Sequence, residues 1–349
     1  MDVPSYFTDF LQDIRPTEEQ REELKKGHTQ LRARLLAHEP LKRVIVTTFL
    51  QGSYRRATAL RPAPKRRSDV DIVVVTRLDE NEYTPSKALD LFRPFMREHY
   101  KGEYRTQGRS IGITQASLDM DLVLTSSPLE RISGILPDEI DHSIDEDVLS
   151  EQVKRAAGST AWKVVPLRIP NREAMRWEDS NPLAQIAWTR EKNAITNGHY
   201  VNVVKAIKWW KYDRYPDFEK PQGYLLERIV AAACPDGIGS VAEGVTRTLE
   251  EIVTRFGRGK PMLPDHGTQL DVLRRLEPAD FHRFYGLVAA AANLARRALN
   301  ADDLVQSVTL WQELFGDRFP PPPKSDDEGP KGGFTPRKTS SVPGSGRFA

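Results

Sequence analysis

Several features that define other protein classes are scarce or missing in this sequence of 349 residues. Cys234 is the single cysteine, which excludes an internal disulfide and fits a reducing, cytoplasmic setting. With one cysteine and seven scattered histidines, we expect no structural zinc site. No run of about 18 apolar residues occurs, so no membrane span is predicted. We also expect no secretory signal, because the first residues lack a basic segment followed by an apolar one.

A strong charge imbalance is also lacking. The 51 Lys and Arg residues nearly balance the 49 Asp and Glu residues, which leaves a net charge of +2. Proteins that hold a long nucleic acid usually carry a basic surface, so we expect no stable complex of that kind. The length allows one large domain or two ordinary domains with a hydrophobic core.

Two short stretches of the sequence carry chemistry. The apolar run 44–50 leads into Gly52 and Ser53, and Asp69 and Asp71 stand just before an unbroken β-branched run. In a strand, residues i and i+2 point to the same face, so the two carboxylates share a direction and attract a cation. Gly52 allows close approach of the backbone to a phosphate, and Ser53 adds a hydroxyl donor. A phosphate-binding turn beside paired carboxylates is typical of an active site for magnesium-dependent nucleotidyl transfer.

A third carboxylate is expected on a later strand, 118–124. Asp119 and Asp121 both lie there and point to the same face, so periodicity does not separate them. An alternative interpretation is that both aspartates only protect an exposed edge strand from pairing with other chains.

The combination of residues in these stretches resembles one family. The motif QGSYRRATALRP followed by SDVDIVVV resembles the bacterial cGAS/DncV-like nucleotidyltransferases of the polymerase-beta-type superfamily, which make cyclic oligonucleotide signals in anti-phage CBASS defence. The resemblance covers roughly residues 40–315 and includes a W-x-x-x-x-P pattern that begins at Trp177. It implies an α+β fold, in which a mixed sheet with helices faces a helical second lobe across an active-site cleft. We expect a catalytic core with an N-terminal helix over 1–165, a helical lobe over 166–318 and, from composition, a disordered tail over 319–349.

The resemblance also implies a metal site. Asp69, Asp71 and Asp121 would hold two Mg²⁺ ions, with Mn²⁺ as an alternative; Asp121 is chosen over Asp119 because the family's third aspartate precedes an apolar pair. Gly52 and Ser53 would grip the donor phosphates.

Two further nucleotide-binding residues rest on the resemblance alone. Lys208 falls where the family has a lysine that reaches the triphosphate, and Tyr224 falls where a tyrosine could stack on a base. Gly223 replaces the family's serine before that tyrosine, which puts one phosphate contact in doubt, and Ala57 replaces the usual glycine of the first loop.

The expected function is magnesium-dependent synthesis of a cyclic di- or trinucleotide from nucleoside triphosphates, with ATP, GTP or both as substrates. The product would act on an effector protein. One alternative is a linear oligonucleotide or poly(A)-type polymerase, against which the near-neutral charge argues. Another is an inactive nucleotide-binding scaffold, against which the intact aspartates argue. Some operons of this family encode E1/E2-like enzymes that join the nucleotidyltransferase's C-terminus to a target, so Ala349 is a candidate conjugation site.

Local patterns predict the remaining elements. Thr17 and Gln20 form a capping box for a helix to residue 37, and Pro94 interrupts a helix over 85–100. The segments 105–115 and 118–125 alternate as an antiparallel pair. The basic loop 61–67 is either solvated or in contact with phosphate. Further helices are predicted over 183–193, 200–212, 221–234 with Pro221 in its first turn, 240–256, 278–299 and 301–315.

Overall fold

The structure, a computed structural model, describes residues 1–63, 66–126 and 166–323. The expected tail is therefore described only as far as Pro323, and Ala349 lies outside the described residues. Two lobes are present, one built on a five-stranded sheet and one built of helices.

The central sheet positions the candidate aspartates. Its strands are β1 (Ile45–Gln51), β2 (Ser68–Thr76), β3 (Tyr104–Thr106), β4 (Ile111–Thr114) and β5 (Leu118–Thr125), in the order β1-β2-β5-β4-β3. Strands β2 and β5 pair in parallel, and the other neighbours are antiparallel. The predicted pairing of 105–115 with 118–125 is confirmed, except that the first segment is divided into β3 and β4. Because β5 is the middle strand, the edge-strand interpretation of its aspartates is wrong.

Strand β2 is buried on both faces, as its continuous apolar run predicts. Val70, Ile72 and Val74 pack into the core under helices, whereas Val73 and Val75 on the opposite face pack near Leu167 and Leu183, which follow the sheet in the chain. The odd-numbered residues of β2, which include Asp69 and Asp71, therefore face the helical lobe.

Helices cover the first of these faces. Helix α2 (Glu18–Ala37) begins at the predicted capping box, in which the Thr17 hydroxyl accepts a hydrogen bond from the backbone amide of Gln20, and the side-chain oxygen of Gln20 accepts one from the backbone amide of Thr17. The short helices α3 (Glu39–Lys42) and α4 (Gly52–Arg55) flank β1. Helices α5 (Pro85–Leu91) and α6 (Arg93–His99) are separated at Phe92, which confirms the interruption predicted from Pro94.

A hairpin of β6 (Leu167–Asn171) and β7 (Arg176–Ser180) leads into the helical lobe. The lobe consists of α7 (Pro182–Ile195), α8 (Tyr200–Arg214), α9 (Tyr224–Ala233), α10 (Val241–Phe256), a 3₁₀ turn (Val272–Arg275), α11 (Pro278–Asn300) and α12 (Leu304–Phe315). The prediction that Pro221 lies in the first turn of α9 is wrong. The helix begins at Tyr224 because Gly223 before it has a φ of 54°, which interrupts helical geometry.

The core of the helical lobe draws on both ends of the described chain. Helix α1 (Pro4–Ile14) buries Phe7, Phe10 and Ile14 in this core rather than against the sheet. The predicted boundary at residue 165 instead grouped this helix with the catalytic core. Phe319 is fully buried against Phe7 and Phe10, so the expected start of the tail at residue 319 is wrong. No helix of the described ranges is both long and apolar enough to cross a membrane.

Candidate active site

The glycine-serine turn lies against the aspartates of β2. Strand β1 ends at Gln51, which pairs with Asp71, and α4 starts directly at Gly52. Gly52 has a φ of 75°, and a Cβ atom at this position would collide with Oδ2 of Asp71. Only glycine allows both the positive φ and the close approach of the carboxylate, so the conformation of the turn and the position of Asp71 depend on each other.

The parallel pairing of β2 with β5 arranges four aspartates in two rungs. Asp69 lies beside Asp119, and Asp71 lies beside Asp121, all on the face toward the helical lobe. Neighbouring strands are about 4.8 Å apart, and residues i and i+2 about 7 Å apart, so the four carboxylates start from one small patch of backbone.

The carboxylates interact electrostatically, as the raised pKa values of Asp69, Asp71 and Asp121 show. Burial between the lobes raises the pKa of Asp69 to about 7, and the charges of Asp71, Asp121 and Asp119 add to that rise. Burial and the charge of Asp121 raise the pKa of Asp71 to about 6, against the opposing charge of Arg56. Water in the cleft reaches the surface of Asp69, so the residue is exposed. Its pKa is nevertheless raised, because protein atoms of the surrounding cleft walls replace much of the water around its carboxylate. Accumulated negative charge of this kind is what a divalent cation neutralises.

The site fits a metal by its chemistry and by its arrangement on the sheet. Oxygen ligands from aspartates suit Mg²⁺ and Mn²⁺. Oδ1 of Asp119 is buried and has no hydrogen-bond partner among the described residues. In the part of the chain that the structure describes, no three such side chains converge on one point as metal ligands do. The four backbone positions are adjacent on the sheet, so binding of a metal ion by three of these carboxylates would require rotation about their side-chain bonds.

Asp121 and Asp119 differ in their surroundings. Nε2 of Gln107 donates a hydrogen bond of 2.9 Å to Oδ1 of Asp121, and Gly112 on β4 leaves the space that Gln107 needs. Burial raises the pKa of Asp121, with Arg105 opposing the rise. The charge of Asp121 raises the pKa of both aspartates of β2, Asp69 and Asp71, whereas the charge of Asp119 raises the pKa of only one of those two, Asp69. Asp121 is therefore the more central of the two aspartates on β5, and its role as third metal ligand stays a prediction.

A cleft of about 1070 Å³ opens between the lobes beside Asp69 and Asp71. Its size is at the upper end of ligand pockets, which span about 300–1,000 Å³. All the predicted nucleotide-binding residues line it, together with cations of both lobes: Gly52, Ser53, Arg56, Arg61, Arg66, Arg67, Lys208, Lys211, Tyr224 and Arg318. Arg61, Arg66 and Arg67 of the basic segment 61–67 all line the cleft, and Arg61 also forms an ion pair with Asp13.

Lys208 lies in the cleft wall, but it is not solitary. Its Nζ atom donates to Oε1 of Glu227 at 2.8 Å and to the carbonyl oxygen of Thr58 at 2.9 Å. Glu227 also accepts from Nε of Arg56 at 3.1 Å and from the hydroxyl of Thr58 at 2.9 Å. Burial alone would raise the pKa of Glu227, but Lys208 and Arg56 outweigh it and hold that pKa below its ordinary value.

Tyr224 is held at both ends of its side chain. The guanidinium of Arg56 lies 5.1 Å from the ring centroid, and the hydroxyl donates to Oδ1 of Asp265 at 2.7 Å. Gln185, which also lines the cleft, donates to the same oxygen at 2.9 Å. Before Tyr224, the φ of 54° at Gly223 explains the missing serine, since a side chain in that conformation would be strained.

Sequence reasoning missed Glu227, Arg56, Gln107 and Asp265. A buried glutamate inside an apolar helix, in GYLLERIV, was the one available signal, because a charged residue there requires partners. Ala57 adopts a φ of 58°, the conformation that the family's glycine would take without strain.

Comparison with known proteins shows which domain family and which enzymes the chain is similar to. The Second Messenger Oligonucleotide or Dinucleotide Synthetase (SMODS) domain matches residues 1–126. The chain is 41% identical over 384 aligned positions to a cyclic AMP-AMP-GMP synthase of Enterobacter hormaechei subsp. hoffmannii (strain UCI 50), covering 100% of both chains. It is 28% identical to a cyclic AMP-AMP-AMP synthase of an Acinetobacter strain, covering 92% of this chain and 86% of that protein.

The fold has a counterpart among solved structures. Vibrio cholerae DncV, a cyclic AMP-GMP synthase described as a prokaryotic cGAS homologue, superposes with a TM-score of 0.65 at 13% identity, covering 91% of this chain and 97% of that one. Together with the full-length relative at 41% identity, this likeness shows that the chain belongs to the bacterial cGAS/DncV-like nucleotidyltransferases, the enzymes that make cyclic oligonucleotide signals in anti-phage CBASS defence.

Proposed function

We propose that this enzyme joins two ATP and one GTP into a cyclic AMP-AMP-GMP trinucleotide, using two Mg²⁺ ions at Asp69, Asp71 and Asp121. The observation that carries the site is the rung of Asp71 and Asp121 beside the turn at Gly52, at the edge of a cleft large enough for more than one nucleotide. The choice of bases is supported by the full-length likeness to the Enterobacter enzyme.

The residues divide the work of nucleotidyl transfer. Asp69, Asp71 and Asp121 would hold the metal ions, which this family generally requires and which supply positive charge to the attacking hydroxyl and the leaving pyrophosphate. The Gly52 amide and the Ser53 hydroxyl, which line the cleft beside these aspartates, would bind the donor's phosphates. In each step a ribose oxygen bonds to the α-phosphorus, the bond to the β-phosphate breaks, pyrophosphate leaves and the hydroxyl proton passes to solvent.

The test of this function is one incubation with all four nucleoside triphosphates and Mg²⁺, followed by phosphatase and mass spectrometry. We expect a phosphatase-resistant product with the mass of two AMP units and one GMP unit. Removal of GTP alone, or of ATP alone, should eliminate that product. A phosphatase-sensitive ladder would instead identify a linear polymerase, and a product without guanine would contradict the proposed base composition.

Tyr224 is proposed to stack on a nucleobase with the ring face that Arg56 leaves uncovered. Tyr224→Ala should raise the apparent requirement for nucleoside triphosphate by roughly 5- to 150-fold, because base stacking contributes ~1–3 kcal/mol. Tyr224→Phe should change it only slightly, since the ring remains and Asp265 still accepts from Gln185. Initial rates against ATP concentration measure both effects. If Phe is as damaging as Ala, the hydroxyl on Asp265 matters and stacking is the wrong account.

An E1/E2-like enzyme acting on Ala349 remains a prediction about a partner. The described chain leaves the helical lobe through Pro320–Pro323, after the buried anchor Phe319. Deletion of Phe348 and Ala349 should leave nucleotide synthesis by the purified enzyme unchanged and should remove covalent adducts in cells that contain the conjugating enzyme. Adducts that persist after the deletion would contradict this prediction.

A further inference from the structure

Glu227 is a charged residue buried at the junction of the two lobes. Its side chain is 5% exposed, and those of Arg56 and Lys208 are 6% and 5% exposed. Both carboxylate oxygens are used: Oε1 binds Lys208 and Thr58, and Oε2 binds Nε and Nη2 of Arg56. A buried carboxylate is costly unless such partners surround it, so the cluster forms as a unit or not at all.

The partners of Glu227 come from both lobes. Arg56 and Thr58 follow the glycine-serine turn of the catalytic lobe, whereas Lys208 on α8 and Glu227 on α9 belong to the helical lobe. The left-handed conformation of Ala57, with a φ of 58°, sharply bends the chain between the two catalytic-lobe partners, and both reach the same carboxylate. Glu227 thereby fixes the turn at Gly52 and Ser53 relative to the helix that carries Lys208.

Both cations of the cluster also line the cleft. The ammonium of Lys208 has three donors, and two of them bind Thr58 and Glu227 among the described residues. Arg56 lies close enough to Asp71 to lower its pKa, and it covers one face of Tyr224. The carboxylate of Glu227 thus aligns two cations that lie between the aspartates of β2 and the ring of Tyr224.

We propose that Glu227 is a positioning residue that holds Arg56 and Lys208 in the orientation in which they bind the donor's triphosphate. The proposal rests on the proposed function, because it takes the cleft as a nucleoside triphosphate site. A hydrophobic residue would serve the fold alone about as well as this ion cluster, so the advantage of the glutamate lies in the placement of the two cations.

The test compares the affinities for a triphosphate and a monophosphate in the full-length protein. The probes are a nonhydrolysable ATP analogue with Mg²⁺ and AMP with Mg²⁺, measured by calorimetry or by competition. Glu227→Gln, which keeps the shape and removes the charge, should weaken binding of the ATP analogue by about 10- to 100-fold, the loss expected for one charge-assisted contact. Binding of AMP should change by less than about threefold, because it lacks the phosphates that the cations contact.

Two further variants make the test decisive. Glu250→Gln removes one partner of the paired Glu250 and Arg296 elsewhere in the helical lobe and outside the cleft lining, and it should leave both affinities within about twofold of the wild type. Thr58→Val removes one hydrogen bond to Glu227 without altering any charge, and it should weaken the ATP analogue alone by about 3- to 10-fold.

The proposal is overturned if Glu227→Gln weakens both probes equally or neither. If Glu227→Gln does not fold, Thr58→Val decides by the same criterion: a loss confined to the ATP analogue supports positioning, and equal or absent losses refute it. The binding test does not depend on turnover. Failure to detect a cyclic trinucleotide would therefore refute the proposed product, whereas the role of Glu227 would still be decided by the two affinities.

Discussion

Asp69→Asn combined with Asp71→Asn will abolish cyclic product and will stabilise the metal-free protein. Loss of two carboxylates from the proposed metal site should lower turnover by at least roughly 10³-fold, equivalent to ~4 kcal/mol. The fold should survive, because asparagine has the shape of aspartate and the substitution relieves repulsion with Asp121. Pyrophosphate release measures the first effect, and circular dichroism with thermal unfolding measures the second. A variant with substantial activity would refute the site.

The stabilisation should depend on pH in a defined direction. Asp69 and Asp71 ordinarily have a pKa of 3.8, and in the folded protein these values are raised to about 7 and about 6. The folded state therefore retains protons that the unfolded chain releases above pH 4, and stability of the wild type falls as pH rises toward 7. In EDTA the double variant should melt a few degrees higher than the wild type at pH 8, and this difference should disappear near pH 4. Mg²⁺ should raise the melting temperature of the wild type alone.

Asp121→Asn should reduce turnover by roughly 10³-fold, whereas Asp119→Asn should reduce it by less than about tenfold. Asp121 lies beside Asp71, accepts a hydrogen bond from Gln107 and acts electrostatically on both aspartates of β2. Asp119 lies beside Asp69 and, of the two aspartates of β2, acts electrostatically only on Asp69. The two variants are matched controls, because they remove the same charge from the same face of one strand. The reverse ranking in a pyrophosphate-release assay would move the third ligand to Asp119.

Features encoded by neighbouring residues were predictable from the sequence. The capping box at Thr17, the interruption before Pro94 and the same-face aspartates of β2 each depend on contacts within a few positions of the chain. The candidate site residues Gly52, Ser53, Asp69 and Asp71 were proposed from the same kind of local pattern, and Lys208 and Tyr224 from resemblance to a family; the structure brings all six to one cleft.

Features created by distant pairing were not predictable. The rung of Asp71 and Asp121 requires the parallel register of β2 with β5, which the sequence alone leaves open. Glu227 meets Arg56 across 171 positions of the chain, so no local pattern indicates their contact. The aromatic packing of Phe319 was hidden by the four prolines that follow it, since composition there resembles a tail.

The packing of α1 has a consequence for biosynthesis. Its apolar face is completed by α8, α12 and Phe319, so α1 leaves the ribosome well before the partners that it contacts at the end of the helical lobe. At about 5–20 residues per second, the roughly 300 residues between them take on the order of 15–60 s to translate. During that interval Phe7, Phe10 and Ile14 lack their final partners, whereas the sheet already has all five strands. The catalytic lobe can therefore form during translation, and the cleft is completed only once synthesis has reached Phe319.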